Sequence, residues 1–184
     1  NFKTNKVYRT DTAIMLKRSL QWLLTISSGG LLVKNPESLL DNSPLKHLLE
    51  ETIKIDGIKN NIDKGNLDAF AITAAGYSSK KSITFFQSNQ DDIDWERFLR
   101  VGVKTEIEID HLMASIALPL IFPAVQINNE YFGDGAMRQA TPLSPAIRLG
   151  AEKLLIITTD LKSHNNHLTD NQIYPSIGEV GGYM

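Results

Sequence analysis

Apolar and polar positions along this chain follow helical spacing at first, then unbroken apolar runs, and the changes of pattern mark its elements. From Thr12 onward Ile14, Met15, Leu16, Leu20, Trp22, Leu23 and Leu24 recur with Lys17, Arg18 and Gln21 between them. That spacing predicts an amphipathic helix with one broad apolar face, capped by Asp11 and stopped by Ser27-Ser28-Gly29-Gly30. A second helix opens at Asn42-Ser43-Pro44, with Ser43 as N-cap and Leu45, Leu48, Leu49 and Ile53 on one face. His47 falls on its other face among charged neighbours and reads as solvated. A third, short helix runs over 56–64, with Ile58 and Ile62 one turn apart and Gly65 as its C-terminal cap.

The pattern changes at residues 67–75, which are nearly all apolar and read as a strand covered on both faces. Gly76 to Lys81 turns it back, and 82–86 reads as its partner strand. Asp91-Asp92-Ile93-Asp94 is a solvated loop leading into a helix at 95–99, and 105–109 alternates like a short extended piece. Asp110 caps a helix carrying Leu112, Met113, Ile116 and Ala117, which Pro119 and Pro123 bring to an end. Residues 125–127 and 130–132 form a hairpin around Asn128-Asn129. A helix over 142–149 ends at Gly150, and 153–158, with Leu154 to Ile157 apolar between Lys153 and Thr158, reads by composition as a buried parallel strand. Helices interleaved with buried strands predict an α/β core with a mostly parallel central sheet. The expected division is a helical segment over 1–66, a sheet core over 67–161 and a polar tail over 162–184.

Composition narrows the function classes. The chain has 184 residues, 42 % hydrophobic and 22 % charged, as in an ordinary globular domain. A net charge of −2 argues against nucleic acid as a partner. The absence of cysteine excludes disulfides and thiolate metal sites. No apolar run reaches the length of a membrane span, so a soluble or peripherally attached protein is expected. A chain beginning at Asn1 rather than Met is expected to be a piece of a longer one, with any targeting signal ahead of it.

Candidate chemistry converges on one place. Gly133-Asp134-Gly135-Ala136 sets a carboxylate between two glycines, which tolerate unusual backbone angles and allow close approach. Such a loop presents an aspartate rather than burying it. Other candidates are weaker. Gly76-Tyr77-Ser78-Ser79-Lys80 is half a nucleophile elbow, with lysine at the second glycine and a strand where a helix should follow. His164 and His167 lack a third ligand, and Asp91, Asp92 and Asp94 lack the glycine and oxygen count of a calcium loop. His111 reads as a capping or surface residue. Thr159-Asp160 ends a strand where α/β folds place ligands, but no phosphate-cradling glycine loop follows any strand. No metal or organic cofactor is indicated.

The order Ala114-Ser115-x-Ala117-x-Pro119-x-x-Phe122-Pro123, then a hairpin, then Asp134-Gly135-Ala136, then Thr141-Pro142-Leu143 with Ala146, and Gly150-Ala151, resembles the patatin-like phospholipase family. The resemblance implies an acyl hydrolase on a three-layer α/β/α core, using a Ser–Asp dyad in which Asp134 is the general base. Gly133, Gly135 and Ala136 would be its motif neighbours. It implies a phospholipid or acyl ester substrate, peripheral membrane contact, and the helix from Thr12 as a possible lid. The Gly-x-Ser-x-Gly elbow and the oxyanion glycines are absent, so the domain is expected to be incomplete on its N-terminal side. The missing part would carry the serine, and this chain alone would be inactive. The alternative is a non-catalytic lipid-binding or interaction module. Gln139-Ala140-Thr141-Pro142 also departs from the Asn-x-Pro common in the family.

Overall fold

The computed structural model describes residues 7–9, 12–27, 38–90, 95–138 and 142–157. The chain divides after Gly150 into two units, Asn1–Gly150 and Ala151–Met184. The first unit begins with α1 (Thr12–Ser27), whose Leu16, Leu20, Leu23 and Leu24 are all exposed rather than packed in a core. Next comes α2 (Ser43–Thr52), which starts where Pro44 predicts. Its cap is not the Ser43 side chain: Asp41 Oδ1 accepts from the Ser43 backbone N–H at 2.9 Å and from its hydroxyl at 2.6 Å. In α3 (Asp56–Asp63) the chain ends as expected, with Gly65 at φ 70° donating to the Ile62 carbonyl.

Among the described residues six strands make one sheet: β1 (Ala69–Gly76), β2 (Ser82–Ser88), β3 (Trp95–Arg97), β4 (Arg100–Lys104), β5 (Val125–Ile127) and β6 (Glu130–Asp134). Their spatial order is β3-β4-β2-β1-β6-β5. The fold is α/β, but the sheet is mostly antiparallel rather than mostly parallel. Only β2 and β4 run parallel, while β1 is antiparallel to both β2 and β6. The connections explain the difference. Tight turns such as Tyr77–Lys81 and Asn128-Asn129 can join only antiparallel neighbours, whereas a parallel pair needs a crossover. Here the crossover from β2 to β4 includes β3, the stretch whose spacing predicts a helix. Trp95 pairs across from Gly102, and a Cβ there would lie 2.5 Å from the indole. The missing side chain lets the indole lie over β4 and stack on Phe86, with ring centroids 5.2 Å apart. Packing overrides local spacing at that point. The extended piece expected over 105–109 is irregular, and the strand lies just before it, in β4.

Alternation along β1 and β2 gives the sheet two different faces. Ile72, Ala74, Ile83, Phe85 and Phe132 form the core on one side, with α4 (Ile109–Ser115) and α3 packed over it. On the other side lie Thr73 and Thr84, whose hydroxyls meet at 3.1 Å, and the fully buried Phe86. Trp95 covers Phe86, and Arg148 of α5 (Ser144–Arg148) lies 5.6 Å above the indole. As predicted, α5 ends at a glycine, Gly150, at φ 91°.

In the second unit the described residues are Ala151 to Ile157, and they form no strand. Leu155 and Ile157 are each 89 % exposed, so the buried strand expected over 153–158 is not formed across those residues. An apolar run becomes a strand only with a neighbour to share its ladder, and the described residues of that unit offer none. Thr158 and everything after it, including Thr159-Asp160, His164 and His167, lies outside the described residues, as do Asp91, Asp92 and Asp94.

Candidate active site

The site is assembled where β6 leaves the sheet. Asp134, its last residue, pairs with Ala74 of β1, and its backbone N–H donates to the Ala117 carbonyl at 2.9 Å. The chain then turns through a single 3₁₀ turn, Gly135–Met137, with Asp134 as its cap. Asp134 Oδ1 accepts from the Ala136 N–H at 2.9 Å. Asp134 as a residue is half-buried, and its carboxylate bond to Ala136 is exposed.

Those glycines are needed for space rather than for backbone angle. The glycines with positive φ among the described residues are Gly65 and Gly150, not Gly133 or Gly135. A Cβ on Gly135 would come within 2.2 Å of the Thr73 carbonyl oxygen, so the turn lies directly against the β1 backbone. A Cβ on Gly133 would lie 2.7 Å from the Tyr77 hydroxyl, so the phenol occupies the place of its side chain. Burial pushes the Tyr77 phenol up from its ordinary range, keeping it neutral.

Behind Asp134 stands the proline-rich segment after α4. The helix ends at Ser115, before the prolines, and the backbone then folds tightly: Leu118 N–H to the Ile116 carbonyl, and Phe122 N–H to the Leu118 carbonyl, both at 2.9 Å. Leu120 sits at φ 67°, a left-handed conformation uncommon for leucine. The segment is held from the far side, where Leu39 and Leu40 N–H groups donate to the Leu120 and Ile121 carbonyls at 2.8 Å. Its apolar side chains face outward: Leu118, Leu120 and Ile121 are all exposed. Ala117, which accepts the Asp134 N–H, thus leads straight into an exposed apolar segment.

The remaining candidates sort differently. Ser78 lies in the exposed Gly76–Lys81 turn, and Ser28 is outside the described residues. Glu130 Oε1 accepts from the Ser79 N–H at 2.6 Å, and Arg138 Nη1 donates to the Lys80 carbonyl at 3.1 Å, tying the turn to the strand and loop around Asp134. Sequence reasoning missed Tyr77, Glu130 and Arg138, and no motif flags them. His111 is capping, as read, but buried at 4 % exposure rather than on the surface. The cap of α4 is Glu108 instead of Asp110, and His111 Nδ1 accepts from the Glu108 N–H at 3.0 Å. The ring meets Phe85 edge-on at 4.6 Å, and burial pushes its pKa down. His47 is solvated, beside Glu50. Among the described residues no cluster of His, Asp or Glu could hold a metal ion, and no helix is long and apolar enough to cross a membrane.

The model of the patatin-like phospholipase family matches residues 1–147 of the chain. No curated protein and no solved structure matches it. The family match contains the Ala117 segment, the hairpin and the Asp134 turn, the same elements that the fold brings together. This chain belongs to the patatin-like phospholipase family, a family of lipid hydrolases.

Proposed function

We propose that Asp134 is the general base of a Ser–Asp dyad in a lipid acyl hydrolase of phospholipase A or esterase type. The observation that carries the reading is the fixing of its backbone, by the ladder to Ala74, the bond to Ala117 and the packing of Gly135 on Thr73. With Oδ1 engaged by Ala136, Oδ2 is the atom that would take the proton. A serine hydroxyl would pass its proton to Asp134 as its oxygen attacks the ester carbon. The proton would then go to the departing alcohol, leaving an acyl-serine for water to hydrolyse. Leu118, Leu120 and Ile121 offer the acyl chain an apolar rim. No Gly-x-Ser-x-Gly occurs in the 184 residues, so the serine of this dyad lies outside them.

The decisive experiment uses a chain extended by the coding sequence ahead of Asn1. Ester hydrolysis and labelling by a fluorophosphonate should both occur, and Asp134→Asn should abolish the first. The 1–184 polypeptide should be inert toward a nitrophenyl ester. Hydrolysis by it that Asp134→Ala removes would overturn the outside serine and bring back Ser78 or Ser28.

The missing elbow also favours a second reading, a lipid-binding or interaction module without catalysis. Coding sequence ahead of Asn1 separates the two: an apolar strand followed by Gly-x-Ser-x-Gly supports the enzyme, and its absence supports the module.

A further inference from the structure

One end of the sheet combines exposed apolar side chains with a local excess of positive charge. The backbone shows that its parts are contiguous. Leu99, in the two-residue tip between β3 and β4, accepts from the Ser82 N–H at 2.8 Å. Gly76 N–H reaches the Lys81 carbonyl at 3.0 Å, and Tyr77 N–H reaches the Tyr131 carbonyl at 3.0 Å. Those bonds run across β4, β2, β1 and β6 along a single edge of the molecule. The exposed side chains on it are Phe98, 90 % exposed, with Leu99, Tyr77 and Tyr131. A phenylalanine that exposed gains nothing from the fold around it.

The charges point the same way. Arg97 and Arg100 flank the tip, Lys80 and Lys81 lie in the neighbouring turn, and Arg138 donates to the Lys80 carbonyl. Among the described residues two carboxylates stand with these five cations. Glu96 is paired with Lys81 at 2.5 Å, and Glu130 accepts from the Ser79 N–H. The chain as a whole carries −2, so this end has the opposite sign to the molecule. We infer that this sheet end docks the protein on an anionic lipid surface, with Phe98 and Leu99 inserted and the arginines among the headgroups.

Cationic side chains around exposed aromatic ones are what an anionic interface selects. Each Lys or Arg gains from the negative surface potential, while tyrosines rest at the boundary between headgroup and acyl chain. The same cationic end of a second copy would be repelled by it. The location also fits the proposed function, on which the inference rests. Asp134, Ala74, Ile83 and Val101 lie in one row across the sheet, so the base stands about 14 Å, three strand spacings, from the strand that leads out of the tip.

The test is flotation of the chain with vesicles of dialkyl-ether phosphatidylcholine, alone or mixed equally with dialkyl-ether phosphatidylglycerol. Ether lipids have no ester to cleave, so docking is measured apart from hydrolysis, and Asp134→Asn should float like the wild type even if the dyad reading fails. Binding is expected to the mixed vesicles and to weaken as salt is raised. Phe98→Ser should weaken it about tenfold. Arg97→Gln and Arg138→Gln should each weaken it about fivefold. Phe98 and Arg97 are exposed, so their variants should keep the wild-type circular dichroism and melting temperature. Equal affinity of folded variants and wild type for the mixed vesicles would overturn the inference. So would a dimer seen by sedimentation that Phe98→Ser dissociates, because the tip would then belong to a second copy.

Discussion

Two neighbouring loops look alike in sequence and differ in the fold. The turn over Gly76–Lys81 and the turn after Gly133 each follow a strand, start with glycine and carry a residue capable of chemistry, Ser78 or Asp134. Around Ser78 backbone bonds hold the ends of the turn, Gly76 to Lys81 and Tyr77 to Tyr131, while between them a Glu130 carboxylate takes the Ser79 N–H and an Arg138 guanidinium the Lys80 carbonyl, both exposed. Asp134 is held by its own backbone on β1 and on Ala117, with Gly135 against Thr73. A catalytic group must be placed to within a fraction of an ångström, and backbone contacts hold more firmly than exposed side-chain ones. A glycine beside a reactive residue says little until the atoms it approaches are known.

The largest expected effect lies on the fixed loop. On the proposed dyad Asp134→Asn, which keeps shape and loses basicity, should lower kcat for ester hydrolysis by about 10²–10⁴-fold with the fold intact. A smaller loss would place the base elsewhere. Next comes Gly135→Ala, whose methyl group would meet a backbone oxygen that cannot swing away. It should cost about 1–3 kcal/mol in urea unfolding. Gly57→Ala, with nothing within 4 Å of the new atom, should be neutral or slightly stabilising, and equal effects at both would remove the packing argument.

A weaker effect reaches the same loop through α4, two residues beyond which Ala117 accepts the Asp134 N–H. His111 faces Phe85 as well as Glu108 and Asp110 of its own turn; burial outweighs the two carboxylates and lowers its pKa. The unfolded chain therefore binds that proton more readily than the folded one. Stability from His111 is complete above about pH 6.5 and is lost as pH falls through the lowered folded value. The urea midpoint should drop over that window, and His111→Gln should flatten the drop. The smallest expected effect is at the other loop: Ser78→Ala should shift stability by less than about 0.5 kcal/mol and leave ester hydrolysis unchanged. A large loss of activity there would reverse the ranking of the two turns.

Much of this was legible in the chain. Local signals found α2, α3, the β1–β2 turn, the β5–β6 hairpin and α5, because caps, turn residues and unbroken apolar runs act over a few neighbours. The Asp134 loop was also legible, through a long ordered resemblance rather than any one tripeptide. Misread elements depended on distant partners. Residues 95–99 have helical spacing, yet Gly102 makes room for Trp95 and Phe86 receives its ring. Residues 153–157 look like a buried strand and stand exposed without a ladder.

What the sequence determined by itself is a carboxylate between glycines, after a short helix, a proline-containing segment and a tight hairpin, in an α/β chain of this family. Those features are local, set by which backbone angles and caps each residue allows. Tertiary structure alone decided the direction of the strands and the use of the two glycines. It also gathered Phe98, Tyr77 and Tyr131 at one cationic edge. Each of these depends on which atoms meet across the sheet, and no residue carries that information until its partner is in place.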